Sequence, residues 1–265
     1  MDALFWLRLG LSFLIGSAWV TLTTLSAERL GSKAGGLIGG MPSTVVIALL
    51  FIGLTQSPHV AAQATTVMPV AQGLNGLFVI TFMLLIPYGM RFALPGAFGV
   101  WLAQSALLYI LNLQVFWVSL LAWIILLGIC YLVVEKWMNI PSLGRVKVSY
   151  SLTQAVSRAL FGGLVITLAV FMGKVGGPLL GGILGSFPAM FLSTLVITSQ
   201  SAGPGFSRSV GKSMLISGLI NVPLYEIAVR FLYPALGLMV GTLLSLLISV
   251  VSGWLTYRFM KSRLS

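Results

Sequence analysis

GSKAGGLIGGMP, residues 31–42, is echoed by GPLLGGILGSFP, residues 177–188, 146 positions later. The two stretches share Gly31/Gly177, Gly35/Gly181, Gly36/Gly182, Gly39/Gly185 and Pro42/Pro188, and the ungapped register continues to Leu49/Leu195 and Pro58/Pro204. Farther along it pairs Met68 with Met214 and Asn75 with Asn221. A phrase repeated at this period within an apolar chain marks a membrane protein built from two related units, a frequent construction among transporters.

Composition agrees with that class. Hydrophobic residues make up 58% of the 265 and charged residues 7%, against roughly 25% charged in soluble domains. The net charge of +11 is scattered through loops, which argues against a nucleic-acid patch. A single cysteine, Cys130, excludes an internal disulfide, and no Cys/His group has metal-ligand spacing. The N-terminus lacks the basic region of a cleaved signal peptide.

Apolar runs long enough to span ~30 Å of hydrocarbon tile residues 4–27, 35–56, 65–88, 92–112, 115–134, 153–172, 178–200, 209–233 and 235–257. The expectation is an all-α polytopic membrane protein of about nine transmembrane helices. Alternate loops sort the basic residues. One side holds Arg29, Lys33, Arg91, Lys136, Arg145, Lys147, Arg208, Lys212, Arg258, Lys261 and Arg263, with Arg158 just inside a helix beside it. The other side holds Arg8, Lys174 and Arg230, each near a helix end where it can snorkel. The positive-inside rule then puts the N-terminus outside and the C-terminus in the cytoplasm. Residues 1–112 form a first four-helix unit and 151–265 a second, joined by a linker helix and cytoplasmic loop over 113–150. Five crossings separate equivalent points, so the second unit is inserted upside down, related to the first by a pseudo-two-fold axis in the membrane plane.

Two features mark the candidate site. A small residue recurs every fourth position in Gly31, Gly35, Gly39, Ser43 and in Gly177, Gly181, Gly185, Ala189, the spacing of a tight helix-packing stripe. Pro42 and Pro188 then interrupt the runs, removing an N–H and clashing with the carbonyls of Ile38 and Leu184. Freed backbone groups in hydrocarbon need partners, which Ser43, Thr44, Ser193, Thr194, water or a solute would supply. Paired breaks of this kind point to a binding site on discontinuous helices. Asn75 and Asn221 fall at equivalent depths, either as hydrogen-bonding glue between helices or as ligand contacts. The substrate-binding candidates are therefore Pro42, Ser43, Thr44, Asn75, Pro188, Ser193, Thr194 and Asn221, with Gln72 one turn before Asn75.

Glu226 is the one acid inside a span, at the place Ile80 holds in the first unit. It is the candidate for ion coupling by a proton or sodium; the other reading is an ion pair with Arg230 four residues on. Asp2, Glu28 and Glu135 belong to the water interface. His59 reads as a solvated loop residue, and several tryptophans suit an interfacial belt. No catalytic triad, carboxylate pair or phosphate loop can be assembled, so no enzyme activity, metal or cofactor is expected.

AGGLIGGMP (residues 34–42), a helix ending at Pro87-Tyr88 and LPGAF (residues 94–98) resemble the small bacterial inner-membrane proteins of the GlpM type. Those are single units of about four helices, so the resemblance implies a multi-pass inner-membrane protein and offers no ligand residues. It covers roughly residues 30–112 and, more faintly, 173–257. This chain contains two copies, like a fused antiparallel homodimer.

The expected function is a secondary transporter, a permease or exporter of a small solute working by alternating access. Its partners would be membrane lipids, the solute and, in the assembled state, a second copy as homodimer, with no nucleic acid. A small channel, a lipid-precursor flippase and a non-transporting scaffold are the competing readings. Without a fixed positive charge at mid-membrane, the solute is neutral, cationic or amphipathic unless backbone N–H groups hold an anion. Reporter tags at Leu113 and Gly173 are expected on the same face of the membrane, and a C-terminal tag on the opposite face.

Overall fold

The computed structural model describes residues 1–141 and 151–263, with side chains described outside 24–39 and 259–263. Arg145 and Lys147 lie outside the described residues, and the side chains of Glu28, Arg29, Lys33, Lys261 and Arg263 outside the described side chains. The described chain is all-α. Its helices are α1 (Ala3–Gly39), α2 (Ser43–Thr55), α3 (Pro58–Ala64), α4 (Met68–Leu85), α5 (Met90–Ile110), α6 (Phe116–Leu132), α7 (Leu152–Val175), α8 (Gly177–Gly185) and α9 (Ala189–Arg263).

Six stretches among the described residues are long and apolar enough to cross a membrane: Ala3–Thr23, Met68–Tyr88, Met90–Ile110, Phe116–Trp137, Leu152–Val175 and the run Gly177–Arg258. Straight, the 75 residues of α9 would reach roughly 110 Å, nearly four times the hydrocarbon thickness. Its backbone leaves helical geometry at Gly203 (φ 84°) and Gly237 (φ 75°), values glycine adopts without Cβ strain. Three limbs result, 189–202, 204–236 and 238–263. The junction expected at Pro234 thus lies at Gly237, because proline only weakens a helix that glycine can fold back.

Other boundaries also differ from expectation. The loop expected around residues 28–34 is helical, so α1 runs unbroken to Gly39. The runs 35–56 and 178–200 are each interrupted, at 40–42 and 186–188, next to the prolines expected to break them. A short α3 precedes α4: Ser57 caps it, accepting from Val60 N at 3.2 Å, with Pro58 in its first turn.

At the centre α1 packs along α7. Gly16 lies against Ile166, Gly162 against Val20, and Gly163 against Ser17 and Phe13. Going up α1 these contacts descend α7, so the two helices are antiparallel. Gly16 and Gly162 stand 146 positions apart, as do Val20 and Ile166, so the contact is reciprocal, as across a two-fold axis. Around this pair, α2 leans on α7, and α4 holds α5, α6 and α9. The outward faces of α5 and α6 carry Leu102, Leu107, Ile110, Leu121, Ile124 and Ile129, all exposed. On a helix in hydrocarbon such a face is the lipid contact.

In Gly163→Ala the new Cβ would lie 2.9 Å from the Phe13 carbonyl oxygen, a backbone atom that cannot swing aside. The variant is expected to lose about 1–3 kcal/mol, seen as a lower melting temperature in detergent. Gly99→Ala, which meets nothing within 4 Å, should melt like the parent.

Candidate functional site

The two helix breaks have the same backbone wiring. At the first, Ser43 N donates to Met41 O (2.7 Å) and Val46 N to Pro42 O (2.9 Å). At the second, Ala189 N donates to Phe187 O (2.8 Å) and Leu192 N to Pro188 O (2.9 Å). Every atom in one set has its counterpart 146 positions away. Both prolines are buried and stand immediately before the following helix, α2 or α9, rather than inside it. The Leu184 carbonyl that Pro188 leaves unpaired is taken by Phe187 N at 3.0 Å, while Gly182 O receives both Ser186 N and Ser186 Oγ.

Asn75, on α4, is buried and reaches across to the second break. Its Nδ2 donates to Ser186 O at 2.6 Å and to Gln72 Oε1 at 3.0 Å, and Gln104 of α5 approaches its Oδ1 at 3.4 Å. Asn221, on the middle limb of α9, is also buried. It donates to Ser217 Oγ at 2.9 Å, and Ser217 lies against Gly40 at the first break. A Cβ at Gly40 would come within 2.7 Å of Gly218 N, so only glycine fits there. Ser252 of the last limb donates to Asn221 Oδ1 at 2.8 Å. Asn75 therefore bonds directly to the second break, whereas Asn221 reaches the first through Ser217, and the two Oδ1 atoms accept from Gln104 and Ser252 of neighbouring helices.

These polar groups form a layer between two apolar cores. One core gathers Phe78, Phe82, Met83, Phe187, Leu195 and Met214, the other Leu49, Ile52, Met68, Ile166, Tyr225 and Tyr233. Along α4 the second core ends at Ala71 and the first begins at Phe78, with Gln72 and Asn75 between. Along α9 the first core reaches Leu219 and the second resumes at Val222, with Asn221 between. Ser186 likewise falls between Ile183 of one core and Phe187 of the other. Phe187 packs edge-on to Trp101 (4.7 Å between centroids) and to Phe161 (5.7 Å).

Glu226 sits about one turn from this layer, fully buried, and neither carboxyl oxygen has a hydrogen-bond partner among the described residues. The ion pair with Arg230 suggested by their spacing does not form. Arg230 turns instead to Thr66 Oγ1 (2.9 Å) and Ala62 O (3.3 Å), with its guanidinium 4.3 Å from the Phe116 ring centroid. Ala62 is in the last turn of α3, where carbonyls lack helical partners and attract cations. Arg8 does the same for Leu54 O at the end of α2.

The hydroxyls expected to satisfy the breaks act otherwise. Ser193 Oγ bonds back to Ala189 O at 2.8 Å. Ser43 Oγ and Thr194 Oγ1 are buried without a partner among the described residues, and Thr44 is buried as well. At the opposite end from Arg8 and Arg230, Lys212 pairs with Glu135 at 2.5 Å and donates to Ile140 O at 3.1 Å. Glu135 is thus held in an ion pair rather than simply solvated. His59 is exposed on α3. Cys130 is buried against Gly76.

Sequence reasoning missed Trp123. Its indole Nε1 donates to Leu219 O at 2.7 Å, the carbonyl left without its helical N–H by Pro223. A proline four residues after a carbonyl and an indole on a neighbouring span were both legible, but their pairing was not.

Residues 9–115 match a family model described as a protein of unknown function, DUF3147. The match begins within α1 and stops one residue before α6. No match was found among curated proteins or among solved structures.

Trp123→Phe keeps the ring but strands Leu219 O. It is expected to cost about 1 kcal/mol, read as a drop in melting temperature that Trp117→Phe, at an exposed position, does not reproduce.

Proposed function

We propose that the protein is a secondary transporter that moves a small solute by alternating access between two inverted four-helix units, 1–112 and 151–265. The linker helix and loop of 113–150 join them in a nine-crossing chain of the inner membrane with the N-terminus outside. The observation that carries this reading is the polar layer at the paired helix breaks, closed on either side by an apolar core. A solute bound among Ser43, Thr44, Asn75, Thr194 and Asn221 would meet the unpartnered hydroxyls of Ser43 and Thr194 and would compete for the amides of Asn75 and Asn221 at mid-depth, where buried polar groups are costly without a role. Pro42 and Pro188 shape the site by holding the breaks open, and Ser193 stands beside it.

Three further features support the inverted arrangement. α1 and α7 meet antiparallel through reciprocal contacts, the two breaks share one hydrogen-bond pattern, and the family match stops at the end of the first unit. Two equivalent units packed in opposite senses supply two conformations of similar energy, one open to each side. Arg8 and Arg230 would close the outer end, and the Lys212–Glu135 pair the cytoplasmic end.

The test is uptake of a panel of solutes into proteoliposomes with and without imposed ion gradients. Pro188→Ala and Asn221→Ala are expected to insert normally and to abolish saturable uptake. Normal flux in both would discard the site; flux that never saturates and cannot be driven uphill would make the protein a channel.

A further inference from the structure

We infer that Gln104 is a solute-contact residue, and that its side-chain carbonyl selects a small neutral solute carrying an N–H or O–H group. Its free acceptor follows from the hydrogen bonds around it, and its role as a solute contact rests on the transporter reading, which it deepens by naming the class of solute.

Gln104 belongs to the polar layer by the same rule as Asn75 and Asn221. The buried row of α5 runs Ala97, Trp101, Gln104, Leu108. Along it the first core ends at Trp101 and the second resumes at Leu108, so the amide stands between them. Its counterpart 146 positions on is Val250, which is exposed. The first unit alone carries this amide.

The sense of the Gln104 amide is fixed by a chain of contacts. Ser186 O can only accept, so Asn75 must turn its NH2 group to it, at 2.6 Å. The same group donates to Gln72 Oε1 at 3.0 Å, which leaves Asn75 Oδ1 as an acceptor. Gln104 must then offer its own NH2 group to that oxygen, at 3.4 Å, since the opposite turn would set two carbonyl oxygens against each other. Gln104 Oε1 is the end left over. It is buried and accepts from nothing among the described residues.

A buried amide carbonyl without a donor is costly and is rarely left so. The hydroxyls of Ser43 and Thr194 are also unpartnered, but a hydroxyl donates or accepts by rotation, whereas Gln104 Oε1 can only accept. The ligand group that meets it must therefore be a donor. Carboxylates, ethers and tertiary amides lack one. A full positive charge is disfavoured for a different cause: one amide dipole does not offset the cost of stripping an ammonium of water. One turn before Gln104, Trp101 packs on Phe187 with 4.7 Å between ring centroids, and Phe187 follows Ser186 in the chain. The flank beside the amide is thus aromatic. A primary amide or an alcohol with a short apolar body suits both.

The test uses the full chain in phosphatidylethanolamine–phosphatidylglycerol nanodiscs and saturation-transfer NMR, with empty nanodiscs as the blank. The probes are the isomers butanamide and N,N-dimethylacetamide, equal in composition, of which the former alone has N–H groups. Butanamide is expected to bind saturably and about fivefold more tightly than its isomer, the scale of one hydrogen bond. Gln104→Met is expected to abolish that difference; a merely structural loss would weaken both isomers alike and leave it. The comparison in the parent needs no variant, so it stands even if Gln104→Met does not fold. Equal binding of the isomers, or no saturable binding of butanamide, overturns the assignment. So does a preference for butyrate or butylammonium, or a difference that persists in folded Gln104→Met. An ordered water as the sole partner of the amide would show as the absence of saturable binding. Because binding and not flux is measured, saturable uptake of another solute would leave the transporter reading standing.

Discussion

Backbone polarity in hydrocarbon is the constraint on which this architecture turns. A helix crossing a bilayer satisfies its own N–H and C=O groups, and any interruption must find substitutes. This chain interrupts two helices, at 40–42 and 186–188, and the substitutes define its centre. Phe187 N closes onto Leu184 O, Asn75 reaches Ser186 O, and Ser217, held by Asn221, fills the space against Gly40. A third carbonyl, freed by Pro223, recruits Trp123 from α6. Asn75 and Trp123 are thus placed where the backbone fails to serve itself.

Small residues let those long-range partners arrive. Gly182 meets the Ala64 carbonyl, Gly181 meets Gly173, and Gly16 and Gly162 receive Ile166 and Val20. Lipid provides no hydrophobic drive for helices to associate, so close backbone approach and its dispersion contacts must do so. The bare stripe on α8 serves this end, packing that helix against α7 and α3. The matching stripe, Gly31, Gly35 and Gly39, lies on the part of α1 outside the described side chains.

The breaks were legible because proline and glycine act through the backbone, and the backbone rule holds in any context. The two asparagines were legible because an amide inside an apolar run stands out and repeats. What each amide touches was not, since Asn75 and Ser186 are separated by more than a hundred residues and nothing local links them. Glu226 and Arg230 show the limit of spacing rules most clearly. Four residues apart on a helix allows a pair, yet a guanidinium at a helix end also has carbonyls to choose from, and Ala62 O with Thr66 Oγ1 prevailed. The α1–α7 contact escaped notice for a different cause. Gly16 and Gly162 match in the same register as the repeated phrase, but outside the stretch where identities are dense.

Departures from symmetry tell the two halves apart. Two identical inverted units would give conformations of equal free energy, and nothing would decide which way the protein faced. Here the second unit carries Glu226 where the first has Ile80, and Lys212 where the first has Thr66; the first carries Gln72 where the second has Gly218. Each difference places a polar group against one break or one end of the bundle and leaves its counterpart apolar or uncharged. A ligand shifts a two-state equilibrium only through unequal interaction with the two states. In the proposed transporter the paired glycines and prolines would supply equivalent states, and these few side chains without a counterpart would supply the inequality through which a bound ion selects between them.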